Sequence, residues 1–373
     1  MQKTYKYRIY PSKAQQRQLE QTLGLCCELY NAALQERRDA WSISRTHISY
    51  HTQAVQLPEI KELRPEFGAV HSQVLQETLN RLDKAFANFF RRVKEKNGKA
   101  GFPRFRSRAR YDSFTYPQSG FVLKADKLQL SKIGKVKIKK HRPFEGNIKT
   151  CTIIRAATGK WFVCFSVEAE KSPLPDSQLS IGVDVGLKEF AVLSNGEAIP
   201  NPKFLRKEEK ELAKAQRKLS AAKKGRPERK KRRKVVARVH ERIRNKRQDF
   251  AHQESRKLVN RFGILIFEKL NIRGMLRNHH LAKSIADAAW NQFVTYTEYK
   301  AEEAGRTCRQ INPRHTSQVC SRCGEMVAKD LRVRAHHCQG CGLRLDRDHN
   351  AAINILSLGL QTLGIKSIEA ASL

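Results

Sequence analysis

Three acids, Asp184, Glu268 and Asp348, each lie in or beside a separate apolar segment, and four cysteines, Cys320, Cys323, Cys338 and Cys341, precede the last of them. Phosphodiester cleavage needs a cation to stabilise charge on the attacking and leaving oxygens, and hard cations such as Mg²⁺ are held by clustered carboxylates. Asp184 is bracketed by Ile181, Val183 and Val185 in a strand pattern, where an unpaired carboxylate is costly unless a cation neutralises it. Glu268 directly follows the apolar run Ile264-Leu265-Ile266-Phe267, which puts it at the carboxyl edge of a sheet. In Asp346-Arg347-Asp348-His349-Asn350, either acid could cap the helix that follows or take the metal. Three converging carboxylates suit two Mg²⁺ ions, one activating a water and the other stabilising the leaving 3′ oxygen. No nucleophilic side chain is needed.

The cysteines form two Cys-x2-Cys pairs separated by 14 residues, close to the spacing of a four-cysteine zinc ribbon. Two pairs flanked by Gly324, Gly340 and Gly342 argue for a structural Zn²⁺ rather than a redox dithiol, which needs one pair. His336 and His337 adjoin Cys338 and offer a substitute ligand, but four thiolates already close the shell. The five other cysteines, Cys26, Cys27, Cys151, Cys164 and Cys308, fall in apolar patterns and read as buried thiols of a reducing compartment.

The elements that must position these groups belong to a very basic chain: 73 Lys and Arg against 36 Asp and Glu leave a formal charge of +37 on 373 residues. Such a charge calls for a polyanion, and it binds nucleic acid through salt-dependent counterion release whether or not the protein is an enzyme. Residues 203–247 concentrate it, with 21 Lys and Arg against 5 Glu. A break at Gly225-Arg226-Pro227 divides them into two basic helices, the second with an apolar seam of Val235, Val236, Val239, Ile243, Phe250, Leu258 and Phe262. No apolar run reaches the roughly 18 residues of a membrane span, and residues 1–10 alternate like a strand rather than a signal peptide. The expectation is a cytoplasmic, nucleoid-associated protein with no membrane partner. With 40% hydrophobic residues and 17 Phe, the chain can build two or three cored domains.

From the amino terminus, the spacing of Ser12 and Gln15 predicts a capping box for a helix carrying Leu19, Leu23, Cys26, Cys27, Tyr30 and Leu34. A second helix is predicted from about Ser72 to Lys96, with Leu75, Leu79, Leu82, Phe86, Phe89, Phe90 and Val93 as a bundle core. The segment from Gly98 to Arg110 interleaves bases and aromatics in a loop broken by Gly and Pro, suited to phosphate and base-stacking contacts or to a solvated linker. Residues 114–167 turn to period two, including a turn at Thr158-Gly159, and predict antiparallel strands in a small barrel that the first strand joins. Pro173 and Pro175 mark a boundary. Beyond it come a hairpin carrying Asp184, a helix over about Ser284 to Glu303 and a last helix over about Ala351 to Leu360.

These residues resemble one family over nearly the whole chain: TnpB, also called OrfB, the transposon-encoded RNA-guided DNA endonucleases thought ancestral to type V CRISPR nucleases. The resemblance rests on Tyr7-Arg8-Ile9-Tyr10-Pro11, Gly101-Phe102-Pro103-Arg104-Phe105, Gly182-Val183-Asp184-Val185-Gly186, Asn245-Lys246-Arg247-Gln248-Asp249-Phe250, the cysteine pairs, and Asp346-Arg347-Asp348-His349-Asn350-Ala351-Ala352. It implies a multi-domain α+β and α/β chain. A wedge β-barrel (1–10 and 109–175) is interrupted by a helical recognition domain (11–108). A RuvC-like domain of RNase H fold (176–317 and 344–373) is interrupted by a zinc ribbon that binds target nucleic acid (318–343). The short tail after the last helix, ending at Leu373, takes away no catalytic element.

By the same resemblance the catalytic acids are Asp184, Glu268 and the second acid of the last motif, Asp348. A guide RNA from the transposon end selects double-stranded target DNA by base pairing, while protein reads only a short adjacent motif. Tyr50, Ser72, Gln73, Gln76 and Thr115 would face that motif, although Ser72 and Gln73 could equally cap a helix. The resemblance further implies a monomer on one RNA, cutting by water attack to leave 5′-phosphate ends. Two alternatives stand beside it. A non-catalytic RNA-guided DNA binder would not need all three acids. A transposase that joins strands itself would act without RNA, yet no separate helix-turn-helix for binding transposon ends is legible.

Overall fold

The computed structural model describes residues 1–95, 100–312, 315–329 and 333–365, so Lys96, Gly98, Lys99 and the tail from residue 366 to Leu373 lie outside the described residues. The chain divides into two compact units, Met1–Glu170 and Lys171–Leu373, with the division just ahead of Pro173 and Pro175.

The first unit runs β1 (Gln2–Tyr10), α1 (Lys13–Ser44), α2 (Tyr50–Val55), α3 (Leu57–Leu63) and α4 (Ser72–Lys94). Six strands follow: β2 (Ser113–Tyr116), β3 (Phe121–Lys124), β4 (Lys127–Leu130), β5 (Gly134–Lys139), β6 (Asn147–Arg155) and β7 (Trp161–Glu168). They form one antiparallel sheet in the order β2-β6-β7-β1-β5-β4-β3, so the first strand of the chain sits at its centre. Its alternation explains why: Tyr7 and Ile9 are fully buried between β7 and β5. The edge strands β2 and β3 are consecutive, joined through Gly120 at φ 86°, and the Tyr116 hydroxyl donates to the Ser131 carbonyl at 3.0 Å. The predicted barrel is thus a nearly closed sheet, with no β2–β3 ladder among the described residues.

Helix α1 begins where its capping box predicts. Ser12 Oγ accepts from the Gln15 amide at 3.2 Å, and Gln15 Oε1 accepts from the Ser12 amide at 3.0 Å. Its stripe from Leu19 to Leu34 packs on the first half of α4, where Leu75, Leu79 and Leu82 are buried. The second half of that α4 stripe departs from expectation. Phe90 is 55% exposed and Val93 51%, because the core ends at Leu82 and the aromatic turns beyond it line a groove with Trp41 and Phe102. Phe102 meets Phe86 and Phe89 edge-on at 5.4 and 5.3 Å, which pins the loop of residues 101–105 to this helix.

The second unit opens with β8 (Ser180–Val185), β9 (Glu189–Leu193) and β10 (Ala198–Pro200), then α5 (Phe204–Ala221), α6 (Pro227–Arg261) and β11 (Ile264–Glu268). It continues with α7 (Ile272–Met275), α8 (Ala282–Ala288), α9 (Trp290–Glu303), β12 (Thr307–Ile311), β13 (Ala335–His337), β14 (Arg344–Asp346) and α10 (Arg347–Thr362). Its main sheet has the order β10-β9-β8-β11-β12: the first three strands form an antiparallel meander, while β11 and β12 run parallel to β8.

The basic helices α5 and α6 pair through Leu212, Val239 and Ile243, with Gly225 at φ 84° in the turn and Pro227 opening α6. Val235 is not part of their seam; it is 40% exposed, on a face the hairpin leaves to solvent. The single helix expected over 284–303 is two, α8 and α9, broken at Ala289 with φ 54°. Tertiary contacts impose that break. Buried Asp287 accepts from the Leu205 amide and from Arg247, while Trp290 turns into the core. Among the described residues no helix is long and apolar enough to cross a membrane.

Candidate active site and cysteine cluster

The chain leaves β8 for β9 and β10 on one side and returns on the other as β11, so the strand order reverses between β8 and β11. Such a switch point opens a crevice at the carboxyl ends of the strands. Asp184 is the penultimate residue of β8, opposite Val192, and Glu268 is the last of β11. Helix α10 lies across both strands. Its approach depends on glycine, since a Cβ at Gly182 would overlap the Ala352 carbonyl and one at Gly359 would collide with Ile266. This close packing delivers Asp348, in the first turn of α10, to the same corner.

The three acids feel one another. Burial, then the charges of Glu268 and Asp348, push the Asp184 carboxyl well above its usual range, and Arg347 only partly offsets them. Glu268 is also raised, by burial and by Asp348, against the hydrogen bond that Thr316 Oγ1 donates to its Oε1 at 2.7 Å. Asp348, with its side chain 13% exposed, is held by Arg347 at 2.9 Å and Arg334 at 3.3 Å. Two guanidiniums therefore supply part of the counter-charge. The acids do not close to within 4.8 Å of one another; among the described residues, only the cysteines do so. As a donor set the acids fit a hard cation, since all three are carboxylates.

Asp346 has a different job. Its carboxylate accepts from the amides of Asp348 at 2.8 Å and His349 at 3.4 Å, which caps α10. Its charge, like that of Asp348, also opposes ionisation of Asp184.

The four cysteine sulfurs cluster, with Cys320 and Cys341 3.6 Å apart and Cys323 and Cys338 3.5 Å apart. Tetrahedral Zn–S bonds of about 2.3 Å place sulfurs roughly 3.8 Å from one another, so the cluster fits that ion. Burial opposes ionisation of Cys320, but the amides of Cys323 and Arg322 and the side chain of His336 outweigh it and bring the thiol down to about 6. Neither histidine belongs to the cluster: His336 is buried against Lys329 and His337 is exposed. Of the other cysteines, Cys26, Cys27 and Cys151 are buried, and Cys164 and Cys308 are half-buried; burial raises all five thiols.

Comparison with known proteins gives the family. The OrfB_IS605 family model, described as "Probable transposase", matches residues 162–279, and the "Cas12f1-like, TNB domain" model matches 290–355. The chain is 37% identical over 368 residues to a "Putative RNA-guided DNA endonuclease" of Streptomyces pristinaespiralis, covering 96% of this chain and 90% of that one. It belongs to the TnpB (OrfB) family. A further relative, "Putative RNA-guided DNA endonuclease InsQ" of Escherichia coli K12, is 29% identical over 95% of this chain and 92% of its own. In fold alone the chain is similar to the mini-RNA-guided endonuclease CRISPR-Cas_phi3, with a TM-score of 0.51 at 9% identity over 96% of this chain and 92% of that one.

The TnpB motifs now acquire physical meanings. A third family model, named "Helix-turn-helix domain", matches residues 1–45, yet here those residues are one strand and one 32-residue helix. The run from Asn245 to Phe250 is a docking strip. Lys246 pairs with Glu208 at 2.7 Å, Arg247 with Asp287 at 2.7 Å, Gln248 donates to the Tyr296 hydroxyl at 3.0 Å, and Phe250 meets Phe190 edge-on at 4.8 Å. In the Gly-Phe-Pro-Arg-Phe loop, Arg38 covers Phe105 at 5.4 Å, and Asn31 clamps the adjoining Arg106 backbone through two 2.8 Å bonds.

The five residues the TnpB resemblance assigns to the adjacent motif lie on α2, α4 and β2. Ser72, Gln73 and Gln76 occupy the first turns of α4, where Ser72 accepts from Lys61 at 2.8 Å and Gln73 accepts from the Ser119 amide and hydroxyl. Ser72 does not cap that helix; its N-cap is His71. Thr115 lies on nearby β2 and shares a hydrogen bond with Thr152 at 2.9 Å. Tyr50, the first residue of α2, lines the aromatic groove with Trp41 and Phe86. Sequence reasoning missed Thr316, Arg334, Asn350 and Asn354. Only the asparagines carried a signal, as two amides four residues apart on the apolar face of a helix.

Proposed function

We propose that the chain is an RNA-guided endonuclease of a transposable element that cuts double-stranded DNA beside a short motif, by hydrolysis at Asp184, Glu268 and Asp348. One observation carries this reading: a buried acid on β8 whose ionisation is opposed by two further acids, delivered from β11 and α10 to the same sheet edge. Stability alone gives no reason to gather them. Mg²⁺ bound there would supply charge stabilisation at the attacking and leaving oxygens.

The residues have separable parts. Asp184 would hold a cation as the carboxylate, the form that burial and the neighbouring acids disfavour. Glu268 is kept in place by Thr316. Asp348 would hold the cation together with Asp184 and Glu268, and Arg334 and Arg347, now paired with it, would be available to phosphate oxygens. The four cysteines hold a structural Zn²⁺ that folds the segment 318–343. The exposed cationic face of α5 and α6 holds the guide RNA backbone, and base pairing selects the target. The sheet order of the second unit supports an RNase H-like nuclease domain, and the nearly closed sheet of the first supports a wedge with inserted helices. The chain acts as a monomer on one RNA.

The non-catalytic alternative draws on the arginine pairs that hold Asp348. The RNA-loaded chain, given a plasmid with a matched target and Mg²⁺, decides: the wild type linearises it, and Asp184→Ala does not while still retaining the target in an RNA-dependent manner. Cleavage surviving in Asp184→Ala would overturn the assignment, and strand transfer by RNA-free protein would favour the transposase.

A further inference from the structure

The segment that leads into the first cysteine pair is strapped to α10 by two buried amides. Asn354 Nδ2 donates to the carbonyls of Thr316 at 2.8 Å and Val319 at 2.7 Å. One turn earlier, Asn350 Nδ2 donates to the same Val319 carbonyl at 2.8 Å, and its Oδ1 accepts from the Ser321 amide at 3.0 Å. Cys320 lies between those two backbone partners. At the other end of the strap, the buried Thr316 donates its hydroxyl to Glu268. Glu268, the first cysteine knuckle and the helix bearing Asp348 are therefore linked by one continuous set of hydrogen bonds.

Buried amides are costly unless satisfied, and irregular backbone entering a buried site must find partners. Apolar residues at 350 and 354 would pack α10 as well but would leave three strap groups, the Thr316 and Val319 carbonyls and the Ser321 amide, without these partners. We infer that Thr316 is a positioning residue for Glu268, and that Asn350 and Asn354 make its placement depend on a closed four-cysteine knuckle. Loss of the knuckle's metal then loosens Glu268 across the strap, without any cysteine touching the acids. This rests on the reading of Asp184, Glu268 and Asp348 as a divalent-cation site.

The test uses the full-length RNA-loaded chain and Mn²⁺ as the probe, with affinity read by electron paramagnetic resonance rather than by cleavage. In the wild type an Mn²⁺ site is expected that Asp184→Ala removes; its absence would overturn the cation site itself. With that site present, Thr316→Val should weaken Mn²⁺ binding about tenfold, as loss of a hydrogen-bonded partner behind a metal ligand does. Thr316→Ser, which keeps the hydroxyl, should restore it. Cys323→Ser should weaken Mn²⁺ binding similarly, and the double variant with Thr316→Val should be no weaker than either alone. Unchanged affinity in Thr316→Val, or failure of Thr316→Ser to restore it, would overturn the positioning role. Additive losses in the double variant would overturn the link to the knuckle.

Discussion

Gly182 on β8 and Ala352 on α10 meet backbone to backbone. A Cβ at Gly182 would overlap the Ala352 carbonyl and lie 2.7 Å from the Leu356 amide nitrogen, so no other residue fits without moving the helix. The contact sets how far Asp348 stands from Asp184, two residues beyond the glycine. Gly182→Ala should displace α10, cost about 1–3 kcal/mol as overpacking does, and reduce cleavage far more than RNA binding. Thermal unfolding and cleavage of one preparation measure both effects; unimpaired cleavage would contradict the argument.

Removing the charge of Asp184 should stabilise the chain while disabling it. Burial and its neighbouring acids raise the folded-state pKa above the unfolded value of about 4. Between those values the folded chain binds more protons, so metal-free stability is greatest below the unfolded value and falls as pH rises through the folded one. Asp184→Asn should therefore melt higher than the wild type at pH 8 in Mg²⁺-free buffer, with a flatter pH dependence and no cleavage. A lower melting temperature would contradict it.

The two acids at the start of α10 should respond oppositely. Asn serves as an N-cap about as well as Asp, so Asp346→Asn should keep near-normal stability and cleavage, whereas Asp346→Ala should lose roughly 1 kcal/mol. Asp348→Asn should lower the cleavage rate by orders of magnitude. Single-turnover rates beside denaturant unfolding distinguish cap from site.

Purified protein should carry about one Zn²⁺ per chain, and Cys338→Ser should bring that close to zero. Among the described residues of the segment 318–343 the buried side chains are Cys320, His336 and Cys338, so without the ion limited proteolysis should cut there first. Elemental analysis with mapped cleavage sites checks both.

At the tip of the basic hairpin Lys230, Lys231, Arg233 and Lys234 are exposed. Replacing all four with Ala should weaken RNA binding at low salt. The slope of log affinity against log salt should fall by roughly 0.7–0.9 for each phosphate that is no longer neutralised. An unchanged slope would place the RNA elsewhere.

Much of this molecule was legible in local pattern. The capping box at Ser12 and Gln15, the break at Gly225-Arg226-Pro227, the apolar strands ending near Asp184 and at Glu268 and the spacing of the cysteines all depend on neighbours a few residues apart. The remainder depended on contacts distant in sequence. Phe90 and Val93 continue a helical stripe that the core no longer covers, and Ala289 breaks a helix because Asp287 is claimed by Leu205 and Arg247. Asp346 is separated from Asp348 only by the amides it caps. The sequence by itself determined which chemical groups are present and that they favour metal and polyanion. Only the tertiary structure decided which acids repel one another and what holds Glu268, because Coulomb energies and hydrogen bonds depend on distance in space, which the order of residues does not contain.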